Sequence, residues 1–252
     1  MKKFVLFLMF LFGLQTPTYA ADADWLANEV LTQLSELRRE IQSMKKQIKV
    51  LQSDVTTLKN KVDSTVDKAA ITSFDFKDGN ILGDENAEIA LVEFTDYQCP
   101  YCSRHAKGTF EKIKQIYIDT GILQYMVRDY PLSFHKQAES AAVAAACAAE
   151  QGKYWDMHKT LFENPGKVKQ REFTLLAKQL GLNTNDFEKC LDDPEQLEDV
   201  RKDVALANNI GITGTPAFLI GRLKEGKMIE LKAMAGAQPF SSFSRVIDAM
   251  IN

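Results

Sequence analysis

The chain has 252 residues, of which 45% are hydrophobic and 26% are charged, and its 31 lysine and arginine residues nearly balance 34 acidic residues. This length suits one full domain with an appended segment, and a net charge of −3 argues against a nucleic acid or an anionic membrane as partner.

The first twenty residues predict a secretory signal peptide. Lys2 and Lys3 supply the charged start, residues 4–14 are apolar, and Thr18-Tyr19-Ala20 places small residues at its first and third positions, before the cleavage site. A retained membrane anchor is the alternative, but the apolar run is shorter than the ~20 residues that span a bilayer. We expect cleavage after Ala20 and export to the periplasm, an oxidising compartment that permits disulfide chemistry.

Residues 21–66 predict a coiled-coil oligomerisation helix. Apolar side chains recur at alternating spacings of four and three residues, which is the 3.5-residue period of a coiled coil. The stripe consists of Val30, Leu34, Leu37, Ile41, Met44, Ile48, Leu51, Val55, Leu58 and Val62. Mostly β-branched a positions with mostly leucine at d favour a parallel dimer, and a trimer is the runner-up because no polar residue occupies a. The alternative is an amphipathic helix folded back on its own domain.

A linker is predicted at residues 67–80, with Phe74 and Phe76 docking on the domain that follows at residues 81–252. The apolar strand at residues 89–94 then delivers Cys99-Pro100-Tyr101-Cys102 to a helix start. A helix N-terminus stabilises a thiolate, so Cys99 is the predicted attacking group, and Cys102 lies within disulfide reach as the resolving thiol. The alternatives are a structural disulfide and half of a zinc site, which would need two further ligands. We predict no metal and no cofactor.

Glu93 is the only charged residue in this apolar strand and lies six residues before Cys99. If it is buried, its pKa is raised or it is paired, and it could accept the proton of Cys102 through water as a general base. The alternative is a glutamate on the exposed face of an edge strand.

The rest of the domain alternates strand and helix patterns. A strand at residues 122–127 predicts a parallel βαβ unit, and helices at 138–150, 154–162, 172–180 and 186–191 form a helical insertion at about residues 133–195. A long helix at 197–209, a hairpin at 217–234 and a closing helix at 240–251 complete the chain. Thr215-Pro216, directly before the hairpin, suggests a tight turn whose backbone pairs with an extended client.

Four blocks, residues 93–102, 127–132, 150–155 and 214–216, together resemble the DsbA-like branch of the thioredoxin superfamily, the bacterial envelope thiol-disulfide oxidoreductases. The resemblance implies an α/β thioredoxin fold with a helical insertion, preceded in this chain by the long coiled-coil helix. It also implies Cys99 as nucleophile, Cys102 as resolving thiol, Glu93 as buried acid and Pro216 as a cis-proline that faces the disulfide. Pro100, Tyr101 and Thr215 are the expected client-binding residues.

Cys147 and Cys190 fall on two of the insertion helices. Unassigned cysteines in an oxidising compartment tend to be bridged, and many DsbA-like relatives have a second, structural disulfide in this region. We therefore expect a Cys147–Cys190 disulfide, with two buried free thiols as the alternative. His105 is expected to be a surface or core residue, and no role is predicted for His135 or His158.

Two departures from the strongly oxidising members of the family bear on function. Tyr101 stands where they have histidine and Thr215 where they have valine, and Thr215-Pro216 is similar to the pair of the dimeric disulfide isomerases. We expect a less oxidising disulfide, in an enzyme that oxidises or reshuffles disulfides of secreted clients and is recycled by a membrane redox partner. The alternative function is a coiled-coil scaffold or holdase-like chaperone whose thioredoxin domain only binds.

Overall fold

The computed structural model describes residues 19–66, 72–77, 79–164 and 170–251, and side chains within the terminal helix are described from residue 28 to 57. The chain divides into two compact units, residues 1–67 and 68–252. Residues 1–18 of the predicted signal peptide lie outside the described residues. Within the described ranges, no helix combines the length and apolarity needed to cross a bilayer.

The described part of the first unit is one uninterrupted helix, α1, from Tyr19 to Val66. Its 48 residues extend over about 70 Å. The apolar stripe predicted from the heptad pattern is exposed in the single chain over the side chains that the structure describes, Val30 to Val55: Leu34 is 54% exposed and Ile41 is 41% exposed. The long helix is confirmed, and its pairing with a second copy stays a prediction.

The second unit is built on a six-stranded mixed sheet with strand order β1-β6-β5-β3-β4-β2. The strands are β1 (Ser73–Asp75), β2 (Asn80–Leu82), β3 (Ile89–Thr95), β4 (Leu123–Asp129), β5 (Ala217–Lys224) and β6 (Lys227–Ala235). β3 pairs with β4 in parallel and with β5 antiparallel, so it is central and all seven of its residues are buried. The predicted parallel βαβ unit is confirmed.

The sheet begins earlier in the chain than predicted. β1 pairs with β6 and β2 pairs with β4, although both strands fall wholly or partly within the segment assigned to a linker. Phe74 and Phe76 are buried and belong to the core, as expected of docking residues. Three-residue strands carry too little periodicity to be read from sequence, so only their pairing partners define them.

The helices follow the predicted order. They are α2 (Pro100–Ile118), α3 (Ala138–Ala149), α4 (Tyr154–Glu163), α5 (Gln170–Gln179), α6 (Thr184–Leu191), α7 (Pro194–Asn209) and α8 (Phe240–Ile251). Helix α2 is α-helical at Pro100–Arg104 and Phe110–Ile113 and π-helical at His105–Thr109 and Lys114–Ile118. One core fills the space between the sheet and the insertion helices together with α2 and α8, and a second packs α7 on the opposite face. The predicted thioredoxin fold with a helical insertion is confirmed.

A disulfide joins Cys147 on α3 to Cys190 on α6, with a Cα–Cα distance of 5.6 Å. Both residues are buried in the main core. The bond links two helices of the insertion through cysteines that are 43 residues apart in sequence.

We expect loss of this bond to destabilise the fold without touching the chemistry of Cys99. The double variant Cys147→Ala/Cys190→Ala should lose roughly 2–4 kcal/mol of unfolding free energy, measured by urea denaturation, because its unfolded chain is no longer cross-linked. Activity at low temperature should stay near that of the wild type. Mass spectrometry of a non-reduced digest should show the linked peptides, and alkylation of both thiols in the native protein would contradict the bond.

Candidate active site

The two cysteines of the Cys-Pro-Tyr-Cys stretch lie where the central strand meets a helix. Cys99 is the residue immediately before α2, with extended backbone (φ −74°, ψ 120°), and Pro100 occupies the start of the helix. Proline is tolerated there because its missing N–H has no intrahelical partner to lose. Cys102 is completely buried and Cys99 is 4% exposed, and both are free thiols in this structure. A molecule that reacts with the sulfur of Cys99 must therefore lie directly against this surface.

The two thiols differ sharply in acidity. The pKa of Cys99 lies well below the ordinary thiol value because the Cys102 thiol donates a hydrogen bond to its thiolate, with help from Thr215 and from the backbone N–H groups of Cys102 and Tyr101. The pKa of Cys102 is raised by burial, by that same hydrogen bond and by the nearby carboxyl of Glu93. Cys99 is thus the thiol that ionises, and the N–H contribution is the one expected of a helix start.

Thr215 and Pro216 pack against Cys99 from a distant part of the chain. The Cys99 Sγ lies 3.4 Å from the carbonyl oxygen of Thr215, and the Thr215–Pro216 peptide bond is cis. Pro216 is buried and directly precedes β5. The Thr215 hydroxyl oxygen is buried, and a hydrogen bond from this side chain helps to lower the pKa of Cys99.

Glu93 is buried beneath this site with 1% exposure. Its Oε1 accepts a hydrogen bond from the Thr95 hydroxyl at 2.9 Å, and its Oε2 accepts one from the Tyr125 hydroxyl at 2.6 Å. Burial raises the pKa of Glu93 to about 7, against the lowering effect of these two hydrogen bonds. Because β3 lies between two other strands, the alternative of an exposed edge-strand glutamate is wrong.

The raised pKa of Glu93 predicts a pH-dependent cost to stability. Below about pH 4 the carboxyl is protonated in both the folded and the unfolded chain. As the pH rises from its ordinary pKa of 4.5 to about 7, only the unfolded chain ionises, so stability falls. We expect the difference in unfolding free energy between Glu93→Gln and wild type to grow by about 3 kcal/mol in favour of the variant between pH 4 and pH 8.

Urea denaturation at several pH values measures this difference. The control Glu111→Gln changes an exposed carboxyl of α2 and should leave its curve parallel to that of the wild type. If the curve for Glu93→Gln is also parallel to that of the wild type, Glu93 has the same pKa in the folded and the unfolded chain.

Asp96 fixes the conformation of the loop that precedes α2. Its role was not predicted from the sequence. Its Oδ1 accepts hydrogen bonds from the N–H groups of Gln98 at 2.7 Å and Cys99 at 3.2 Å. Its Oδ2 accepts from the N–H of Leu132 at 2.8 Å and lies 2.8 Å from Nδ1 of His135. One buried carboxyl thus joins the cysteine loop to the loop after β4. An aspartate a few residues before a helix is a recognisable turn signal, and it was available in the sequence.

Two buried histidines complete the surroundings. His158 Nδ1 lies 3.0 Å from the Tyr97 hydroxyl, and His105 Nε2 lies 3.1 Å from the Tyr125 hydroxyl. Burial lowers the pKa of each histidine to about 3, so both are neutral and place no positive charge beside Cys99. His105 is a core residue, as expected. Within the described ranges, no group of three or more His, Cys, Asp or Glu side chains is arranged to hold a metal ion.

Proteins of known structure are similar to this chain in fold and, at 27–29% identity, in sequence. A family model described as Thioredoxin matches residues 76–249. The crystal structure of Wolbachia pipientis alpha-DsbA1 is 29% identical, with a TM-score of 0.62 over 68% of this chain and 90% of that one. A thioredoxin-like oxidoreductase from Silicibacter pomeroyi is 27% identical, with a TM-score of 0.59 over 70% of this chain and 95% of that one.

A curated relative of a different kind is the Na⁺/H⁺ antiporter NhaA 3 of Salinispora tropica. It is 28% identical over 159 residues, which are 63% of this chain and 24% of the antiporter. The chain therefore spans about a quarter of the length of that relative.

Proposed function

Because this chain belongs to the thioredoxin family, in its DsbA-like branch, we propose that it is a periplasmic thiol-disulfide oxidoreductase that acts on disulfides of secreted proteins as an isomerase, an oxidase or both. The observation that carries the proposal is the placement of two free thiols at a helix start, with Cys99 against the cis Thr215–Pro216 bond; the pKa of Cys99 is lowered there and that of Cys102 is raised. Such a pair separates an attacking group from a resolving group.

The reaction follows from that separation. The Cys99 thiolate attacks one sulfur of a client disulfide, a bond forms between Cys99 Sγ and that sulfur, and the other client sulfur leaves as a thiolate. Cys102 then loses its proton to Glu93 and attacks Cys99 Sγ, which closes the Cys99–Cys102 disulfide and releases the client sulfur as a thiolate. Oxidation of a client dithiol runs through the same mixed disulfide in reverse, and Cys102 recovers its proton.

The surface around Cys99 supports client binding by Pro100, Tyr101 and Thr215. Tyr101 is 55% exposed, and the guanidinium carbon of Arg104 lies 4.9 Å from its ring centroid. An exposed aromatic ring that a neighbour orients offers apolar area to an unfolded chain at low entropic cost. The backbone of Thr215, next to a proline without an N–H, supplies the main-chain contact.

Assembly and recycling complete the proposal. The uncovered stripe of α1 supports a homodimer, with a trimer as runner-up, because an apolar face of this length is costly to leave in water. A signal peptide cleaved after Ala20 would deliver the protein to the periplasm, where a membrane redox partner recycles the site. The scaffold or holdase alternative is less well supported, because a protein that only binds clients has no need of an acidified thiol.

Two assays test the function. Wild-type protein should accelerate insulin reduction by dithiothreitol and should reactivate scrambled ribonuclease. The reduction potential of the Cys99–Cys102 pair then gives the direction of flux: a value near about −120 mV indicates an oxidant, and a value near about −180 mV indicates an isomerase-like enzyme. Insulin reduction at the uncatalysed rate would refute the proposed activity.

A further inference from the structure

Three polar side chains from different elements meet in the core beneath the cysteines. The Tyr125 hydroxyl on β4 donates to Glu93 Oε2 on β3 at 2.6 Å, and His105 Nε2 on α2 lies 3.1 Å from the same hydroxyl. His105 and Tyr125 are completely buried, and Glu93 is 1% exposed. His105 opens a π-helical segment of α2, a local geometry that is frequent at functional sites.

The direction of each hydrogen bond follows from a proton count. Tyr125 has one hydroxyl proton and gives it to Glu93, so His105 must carry its proton on Nε2 and donate it to the Tyr125 oxygen. This tautomer leaves Nδ1 of His105 as a bare acceptor. That atom is buried without a hydrogen-bond partner in the described chain, and the rings of Phe218 and Phe243 lie 4.6 Å and 5.4 Å from the imidazole centroid.

We propose that Tyr125 and His105 are a positioning pair: neutral hydrogen-bond donors, aligned in series, that keep Glu93 able to take the proton of Cys102. The inference rests on the proposed function and deepens it, because it concerns the resolving step of the same site.

The pair solves a problem that burial creates. A carboxyl taken out of water favours its protonated form, and a protonated Glu93 cannot accept the proton of Cys102. The Tyr125 hydrogen bond stabilises the carboxylate and is the larger of the two contacts that oppose burial, ahead of Thr95. Burial raises the pKa of Tyr125 well above its usual value, so the hydroxyl remains a donor throughout. A cation in the place of His105 would instead hold Glu93 ionised and make it a weak base.

Other titratable groups also surround this cluster and contribute to its electrostatic environment. They are Cys99 and Cys102 at the start of α2, Tyr97 after β3, Asp129 at the end of β4, and Tyr154 and His158 on α4. His158 is neutral, and Tyr97 and Tyr154 stay protonated because burial raises the pKa of each. Among the described residues, the hydrogen bonds to the Glu93 carboxyl come from Tyr125 and Thr95, so these two supply its specific support.

In the mixed disulfide, the proton of the Cys102 thiol moves to the Glu93 carboxylate. The Cys102 thiolate attacks Cys99 Sγ, the Cys99–Cys102 bond forms, and the bond between Cys99 and the client sulfur breaks. The client sulfur leaves with the electron pair of that bond, so the client is reduced and the two cysteines are oxidised.

The test is the substitution Tyr125→Phe in the full chain. The readouts are the ¹³C chemical shift of the Glu93 carboxyl against pH, assigned with Glu93→Gln, and the pH dependence of client release from a preformed mixed disulfide with a cysteine-containing peptide. Loss of the donor should raise both midpoints by ~1 pH unit, which slows release about fivefold at pH 7, where the wild-type carboxyl is about half ionised. The control Tyr130→Phe removes a hydroxyl bonded to Asn208 and Ile212 in the other core and should shift neither midpoint.

A second pair of variants isolates His105 and guards against a folding defect in the first. His105→Phe should raise the midpoints in the same direction by less than Tyr125→Phe, and His105→Gln, which retains an N–H donor, should reverse part of that shift. Midpoints that match those of wild type in both Tyr125→Phe and His105→Phe would overturn the inference. A wild-type protein that forms no mixed disulfide with the peptide would instead refute the proposed function.

Discussion

Cys99→Ser should reduce insulin reduction and client oxidation to the uncatalysed rates, whereas Cys102→Ser should accumulate a mixed disulfide with the client. The hydroxyl of serine does not ionise at neutral pH and forms no disulfide, so the first variant has no nucleophile. Cys102→Ser keeps the Cys99 thiolate, because the serine hydroxyl can donate the hydrogen bond that the Cys102 thiol gives, and the N–H groups of the helix start and Thr215 remain in place. It lacks only the neighbouring thiol that releases the client.

The pH dependence of attack should follow Cys99 alone. Since the thiolate is the nucleophile, the rate of alkylation of the reduced protein should be flat above the pKa of Cys99 and fall about tenfold per pH unit below it. Absorbance of the thiolate at 240 nm measures the same ionisation. An apparent pKa of about 8 or more, near the free-thiol value of about 8.5, would contradict the role of the helix start.

The matched control for these variants is Cys147→Ala/Cys190→Ala, which removes the other two cysteines and should retain exchange. Gel analysis under non-reducing conditions should show the client adduct with Cys102→Ser and not with Cys99→Ser. An adduct that forms through Cys102 would reverse the assigned roles.

Charges placed in the apolar stripe of α1 should dissociate the proposed oligomer and change the reaction that the protein performs. Ile41→Glu/Ile48→Glu puts a charge on each of two a positions, and an unpaired buried charge costs about 3 kcal/mol or more. Light scattering should report a monomer for this variant and a dimer for wild type. Lys46→Glu, on the outer f position of the same helix turn, should leave the dimer intact.

The activity of the monomer should shift from reshuffling disulfides to oxidising thiols. Tethered domains present a second Cys99 at high effective concentration to a client that the first already holds. In the proposed dimer they would also shield reduced sites from the proposed reoxidising partner. We therefore expect the monomeric variant, and likewise a chain that lacks residues 21–70, to lose reactivation of scrambled ribonuclease while peptide oxidation persists or increases. If the monomer isomerises disulfides as well as the wild type at matched active-site concentration, α1 does not determine which reaction the protein performs.

The features that the sequence predicted are those that neighbouring residues determine. Cys99 and Pro100 occupy a helix start because a strand pattern and a helix pattern meet there, and the consequence for thiol acidity is local. The heptad stripe of α1 repeats over many turns, so its period is unambiguous. The charge of Glu93 in an apolar strand likewise indicated its burial before any contact was known.

The partners of these residues depend on the tertiary structure. Tyr125 is 32 residues from Glu93 in sequence and 20 from His105. A strand pattern predicts only that its aromatic side chain packs in the sheet, and it does not identify these partners. The pairing of β3 with β4 brings its hydroxyl to the carboxylate, and packing of α2 on the sheet adds the imidazole. β1 and β2 are likewise defined only by the strands beside them. The amino-acid sequence by itself determined which groups react, because helix starts and apolar periods are local. The tertiary structure alone decided which long-range hydrogen bonds adjust the acidity of Glu93, because those bonds join segments that only folding brings within about 3 Å.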